Sequence, residues 1–366
     1  MSTRKPVITR YYENCSFSGG SYPNTKLLIE PVDERWLSLP SESLPKVKTP
    51  VFYFVYNFDN YYHFVYDTLP YLISYSKLKA KIPNLKLLVG FPPKQDKFNP
   101  FVLEFLELCG ITEADFQYIS DSVIYEEVYV SESYTHGEDS NLPPRKEVYE
   151  FFEELASGIP SDESLPKKIY ISRRSHLHGK YDNIGTNYTT RRNLKNEDLL
   201  VATLKGKGYT EVFTELMSTK EKIQMFKGCT HVVGAIGGGL CNVLFSKKNT
   251  KLTPIVSPLF LEVNFRFSHC FANVETTYFT DTKHTESDEF KKYMRVKAPR
   301  YKITGEISNV DDHSVTIIYD EADVAGWNAQ TEYKSLSLPR YEVEIIDRGL
   351  NSEWVMNLNN FIKNYA

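Results

Sequence analysis

The stretch Cys229-Thr230-His231-Val232-Val233-Gly234-Ala235-Ile236-Gly237-Gly238-Gly239-Leu240-Cys241-Asn242 decides how the rest of the chain is read. Its first part is a short apolar run of the kind found in a strand buried inside a parallel sheet. Beyond it, Leu240, Val243, Leu244 and Phe245 fall along one side of a short helix. Between them, Gly237, Gly238 and Gly239 make a turn without side chains. A strand, a glycine turn and a helix start together suit an anion. Glycines let a phosphate approach the backbone, and the first amides of a helix have no acceptor of their own. The same residues also fit a tight connection that binds nothing. Three adjacent glycines lack the spacing of the dinucleotide fingerprint, which weighs against an oxidoreductase.

The residues around this turn repeat strand and helix. Lys168-Ile169-Tyr170-Ile171-Ser172 reads as a strand that runs into Arg173-Arg174. A polar loop over 176–190 ends in Arg191-Arg192-Asn193, and a helix over 196–205 has Asn196 as its cap. A strand at 209–213 and a helix over 218–226 follow, with Ser218 and Glu221 spaced as a capping box. A further strand is expected at 253–257. These repeats predict a Rossmann-like unit, in which ligands bind outside the carboxyl ends of the strands. Arg173, Arg174 and the glycines are expected to converge there, where arginine forks and backbone amides suit a diphosphate. A solvated surface pair is the plainer reading of the two arginines.

The first half of the chain has the same grammar. Val51-Phe52-Tyr53-Phe54-Val55-Tyr56 is a continuous apolar strand, and it leads into a helix over 60–72. On that helix His63 and Asp67 stand one turn apart on one face, while Phe64, Val65, Leu69 and Leu72 form the apolar side. Pro70 kinks it or starts a second helix. Strands at 85–90 and 122–130 and helices at 100–108 and 145–156 complete the unit, and the proline-bounded stretch 157–166 is a linker. Before it, residues 1–50 hold short strand-like pieces such as Lys26-Leu27-Leu28-Ile29-Glu30. From about 297 the pattern changes to short β segments at 301–303, 314–319 and 341–346, with a turn at Asp311-Asp312-His313. A last helix over 352–365 carries Trp354, Val355, Leu358, Phe361 and Ile362 as its stripe.

Composition narrows the classes. At 366 residues two domains are expected rather than one core, and 26 Tyr and 22 Phe can fill them. A net charge of −4 offers no general attraction to nucleic acid. No apolar run reaches the roughly 20 residues of a membrane span. The five cysteines are scattered with no paired spacing, so neither a zinc site nor a disulfide framework is expected, and a reducing, cytoplasmic setting fits best.

Three blocks, in order, resemble glycosyltransferase family 61. Asn60-Tyr61-Tyr62-His63 with Asp67 and Leu69-Pro70 is similar to its "NFYHW…D.LP" block. Tyr170-Ile171-Ser172-Arg173-Arg174, then Arg191-Arg192-Asn193 and Asn196-Glu197, is similar to "YISRR…RR.L.NE", with Glu215 and Gln224 at its later Glu and Gln. Gly237 to Asn242 resembles the end of "HGAGLTN". Three departures stand out: Ile236 occupies the place of the His, the loop 175–190 is extra, and residues 300–347 have no counterpart.

The resemblance implies an α/β fold of GT-B type, two Rossmann-like domains facing a cleft. Residues 1–160 would form the acceptor-side domain and 161–296 the nucleotide-sugar domain. A β-rich appendage at 297–347 and a C-terminal helix at 348–366 would follow. It implies inverting transfer from a UDP-sugar (UDP-xylose, UDP-arabinose or UDP-N-acetylglucosamine) to a glycan or glycoprotein hydroxyl. The donor is a co-substrate, and neither a cofactor nor a metal is expected. Asp67 is the expected base, oriented by His63, unless the two only brace their helix. Arg173, Arg174, Gly237, Gly238 and Gly239 would hold the diphosphate, and Asn242 either caps its helix or bonds the donor. A catalytically silent nucleotide- or glycan-binding protein is the alternative.

Overall fold

Val51, Phe52 and Tyr53 form β4, and the first sheet is arranged around this buried strand. The structure is a computed structural model and describes residues 4–17, 37–38, 43–91, 96–135, 142–175, 194–256, 264–280, 295–301, 303–310, 314–320, 333–339, 342–347 and 355–365. β4 runs parallel to β5 (Lys86–Val89) on one side and to β7 (Ile124–Ser131) on the other, with β6 (Phe116–Tyr118) outside β5. β1 (Thr9–Phe17) lies antiparallel to β7, β2 (Leu37–Ser38) flanks β1, and β3 (Lys46–Val47) runs parallel to β7. Strands paired on both edges and covered on both faces demand unbroken apolar sequence, which 51–53 supplies.

The second sheet is parallel throughout, in the order β9-β8-β10-β11-β12. Its strands are β8 (Lys168–Ile171), β9 (Thr210–Val212), β10 (His231–Ala235), β11 (Lys251–Val256) and β12 (Glu275–Thr276), with β13 (Phe279–Thr280) also on β11. The chain begins at β8, adds β9 on one side and then crosses to β10 on the other. That reversal opens a crevice beyond the carboxyl ends of β8 and β10. In the first sheet the order β6-β5-β4-β7 reverses in the same way beside β4.

Helices α1 (Leu72–Lys79), α2 (Pro100–Leu108) and α3 (Lys146–Ser157) belong to the first half. The second half carries α4 (Glu197–Gly206), α5 (Thr219–Gly228) and α6 (Asn264–Cys270). Pro100 opens α2 where a missing amide costs nothing, and Gly110 follows it at φ 72°. Ser218 caps α5 as expected: the Glu221 amide donates to its hydroxyl, and its own amide donates to the Glu221 carboxylate at 2.8 Å.

Four local expectations need correction. The helix expected at 60–72 is a π-helix (His63–Thr68), a 3₁₀ turn (Leu69–Tyr71) that holds Pro70, and only then α1. The segment after the glycines, Gly238–Phe245, is 3₁₀. Asn196 stands at the cap position of α4, but its amide bonds the main chain of Met356 in both directions, at 2.8 and 3.1 Å. The last helix, α7 (Leu358–Tyr365), starts later than expected because the Asn357 side chain accepts the Asn360 amide at 3.1 Å and fixes the first turn. Val355 lies outside that helix and is exposed. The pieces at 26–30, 176–193 and 311–313, and Trp354, fall outside the described residues.

A third sheet is antiparallel, in the order β17-β16-β15-β14-β18. It is made of β14 (Arg295–Ala298), β15 (Ile303–Val310), β16 (Ser314–Asp320), β17 (Tyr333–Pro339) and β18 (Glu344–Asp347), around Ala298, Val315, Ile317 and Leu338. From there α7 returns to the second sheet, where the Phe361 ring meets that of Phe279 at 5.2 Å.

The first two sheets share one continuous buried cluster, where length alone predicts separate cores. Phe105 of α2 and Phe152 of α3 both meet Phe245, and Tyr62 meets Phe267 of α6 at 4.5 Å. Among the described residues no helix is long and apolar enough to cross a membrane.

Candidate active site

Segments that follow the carboxyl ends of five strands line one cavity. The first sheet supplies Tyr61 beyond β4 and Asn99, Phe101 and Glu104 beyond β5. The second supplies Ser172 and Arg173 after β8, Thr214 and Glu215 after β9, and Gly237, Gly238 and Gly239 after β10. Of the expected donor residues, Arg173 and the three glycines are thus brought together.

Packing explains part of the glycine run. A β-carbon on Gly239 would stand 2.8 Å from the Thr214 hydroxyl and 3.0 Å from Ile171 Cγ2, so the strand ends of β8 and β9 leave no room for one. On Gly238 a β-carbon would meet Tyr62 at 3.7 Å and Tyr61 at 4.0 Å, both ordinary contacts. The amides of Gly238 and Gly239 open a helical segment and so have no acceptor within it. Ile236, in the position of the family's His, is buried and its amide bonds Ile255.

Glu197 holds the end of β8. Its buried carboxylate accepts from the Tyr170 phenol, the Ser172 hydroxyl and the Arg173 amide, at 2.9, 3.0 and 3.0 Å. Arg173 follows this turn and is one of the residues that line the cavity. Arg174, expected beside it on the diphosphate, is not among the lining residues. Its guanidinium forks onto Glu211 at 2.7 and 2.9 Å and also reaches Asp198. Burial alone would raise the Glu211 pKa, but hydrogen bonds from Arg174, Ser172 and Lys205 hold it below the usual range. Arg174 is neutralised on the sheet's outer strand.

Asn242 is engaged by the protein itself. It is fully buried, its oxygen accepts the Tyr61 phenol at 2.6 Å, and its amide donates to the Gly239 carbonyl at 2.9 Å. It ties the glycine turn to the segment that follows β4.

His63 and Asp67 pair as their spacing predicts, at 2.7 Å, but neither lines the cavity. Asp67 is fully buried, and both carboxylate oxygens are engaged. One accepts the Thr135 hydroxyl at 2.9 Å and the other faces His63 Nδ1 at 2.7 Å. A carboxylate only accepts, so Nδ1 carries the proton of this bond and Nε2 is the ring nitrogen left outside the pair. The His63 side chain is 34% exposed and follows Tyr62, which touches Gly238. Asp67 is closed off from solvent, whereas His63 is partly open to it.

Sequence reasoning missed Lys222 and Glu104. Both line the cavity, from α5 and α2, and the Glu104 carboxylate accepts the first amide of α5 at 2.7 Å. A charged residue at helical spacing reads as a solvated face. Only the meeting of α2 with α5 shows otherwise.

A mixed α/β chain whose parallel sheets bring strand ends to a common cavity has the construction of a glycosyltransferase. The family model Glycosyltransferase 61 matches residues 61–253, more than half of the chain and every residue of the cavity and the His63–Asp67 pair. The chain belongs to glycosyltransferase family 61 and is a glycosyltransferase. No curated protein matches it.

Proposed function

We propose that this enzyme is an inverting transferase of GT-B type that moves a sugar from a UDP-sugar to a glycan hydroxyl. The observation that carries this reading is the meeting of Arg173 and the glycine turn at the crevice between β8 and β10. A guanidinium and unpaired helix-start amides suit the two charges of a diphosphate. The cavity, about 180 Å³, has room for the diphosphate part of a donor, not for the whole.

In this mechanism the acceptor hydroxyl oxygen attacks the anomeric carbon from the face opposite the diphosphate. The new C–O bond forms as the bond to the diphosphate oxygen breaks, and the configuration inverts. His63 Nε2 takes the hydroxyl proton, and Asp67 stabilises the imidazolium. The charge that develops on the leaving oxygen is met by Arg173 and the Gly238 and Gly239 amides, already in place. UDP-xylose, UDP-arabinose and UDP-N-acetylglucosamine are the donors to try, with EDTA present and absent, since these parts require no metal.

The test is a thermal-shift panel of nucleotide sugars followed by NMR of the transfer product. UDP-sugars should raise the melting temperature, an α-linked donor should give a β-linked product, and EDTA should leave the rate unchanged. A product of retained configuration, or stabilisation by other nucleotides in place of UDP, overturns the reading.

A further inference from the structure

One cation in the cavity belongs to neither the strand end nor the glycine turn. Lys222, in the first turn and a half of α5, is 6% exposed, and it lines the cavity with Arg173 and the glycines. Its ammonium lies 4.4 Å from the centroid of the Tyr61 ring. It makes no hydrogen bond or ion pair among the described residues, and the acids near it act only at longer range. Each of these is occupied elsewhere. Glu104 accepts the Thr219 amide, Glu221 closes the capping box on Ser218, and Glu215 accepts the Ser175 hydroxyl.

A buried ammonium without a carboxylate is costly, and an aromatic face offsets only part of that cost. Burial accordingly lowers the Lys222 pKa. Such a group is retained where an anion completes it. Charge that the protein withholds here is charge a ligand brings.

We propose that Lys222 binds the non-bridging oxygens of the donor diphosphate, from the α5 side of the cavity and across from Arg173. This rests on the reading of the cavity as a nucleotide-sugar site. It adds a specificity: the ammonium senses phosphate, not uridine. Because Lys222 sits against Tyr61, the residue also places the diphosphate between the two sheets, in contact with both.

The experiment compares UDP, uridine and inorganic pyrophosphate on the full chain and on Lys222→Met, by calorimetry, with melting curves to confirm folding. Lys222→Met keeps an unbranched side chain one atom shorter and removes the ammonium with its charge and donors. UDP affinity should fall about 10- to 100-fold, as for loss of a charged hydrogen bond, and pyrophosphate affinity by a similar factor. Uridine affinity should stay within twofold, and Lys222→Arg should recover part of the UDP affinity. Unchanged UDP and pyrophosphate binding in a folded Lys222→Met overturns the proposal, and so does an equal loss for uridine. If the unsubstituted chain binds pyrophosphate through Lys222 but not UDP, the uridine-donor reading fails and the Lys222 assignment stands.

Discussion

Tyr61 and Asn242, 181 residues apart, share a buried hydrogen bond in which the phenol donates to the amide oxygen over 2.6 Å. The bond joins the segment after β4 to the segment after β10 beside the cavity. Asn242→Ala would leave the phenol unsatisfied in the interior, at a cost of about 1–3 kcal/mol. The melting temperature should fall, while UDP affinity measured well below it should change less than twofold. A stable Asn242→Ala protein that had lost UDP binding would restore Asn242 to the donor site.

The roles proposed for His63 and Asp67 are open to a kinetic test. His63→Ala should lower transfer by on the order of 100-fold or more, with UDP affinity near that of the parent. Asp67→Asn should lower transfer as well and should also lower the melting temperature, since Thr135 and His63 both depend on the buried carboxylate. An active His63→Ala beside a dead but folded Asp67→Asn would make Asp67 the base after all.

Adjacent arginines should behave differently. Arg173→Ala should weaken UDP binding by roughly 1.5–3 kcal/mol, the range for a hydrogen bond to a charged group. Arg174→Ala should leave UDP binding unchanged and cost at most about 1 kcal/mol of stability, because its ion pairs are partly exposed. Equal losses of UDP affinity in the two variants would contradict the geometry at the end of β8.

Burial lowers the Lys222 pKa from its ordinary 10.5, so the unfolded chain binds this proton more tightly than the folded one. The penalty for charging Lys222 is therefore fully present below the folded pKa and is relieved as pH rises toward 10.5. Without ligand, Lys222→Met should melt above the parent at pH 7, and the gap should close as the pH approaches that value. A gap that does not vary with pH would mean that the ammonium is not desolvated.

Local patterns carried much of the fold. The apolar run at 51–53, Pro100 ahead of α2 and the Ser218–Glu221 box each act within a few residues, so each could be read directly. The spacing of His63 and Asp67 likewise predicted their pairing. It could not show which of them meets solvent, because Thr135, on a distant loop, seals Asp67 in. Arg174 looked equivalent to Arg173 until Glu211 and Asp198 were seen beside it. Lys222 sits in a polar stretch, and its burial against the Tyr61 ring, from the first half of the chain, does not show in that stretch. What escaped the sequence reading in each case depended on a partner from far along the chain.

The shared core limits how this enzyme could be recombined. Phe105, Phe152, Phe245, Tyr62 and Phe267 form a matched seam, and the residues that line the cavity come from both sides of it. A chimera that exchanged one half for that of a relative would need the facing rings to change with it, or the two pieces would not mate. Altered acceptor range is therefore easier to engineer by grafting the connections beyond the strand ends than by shuffling halves.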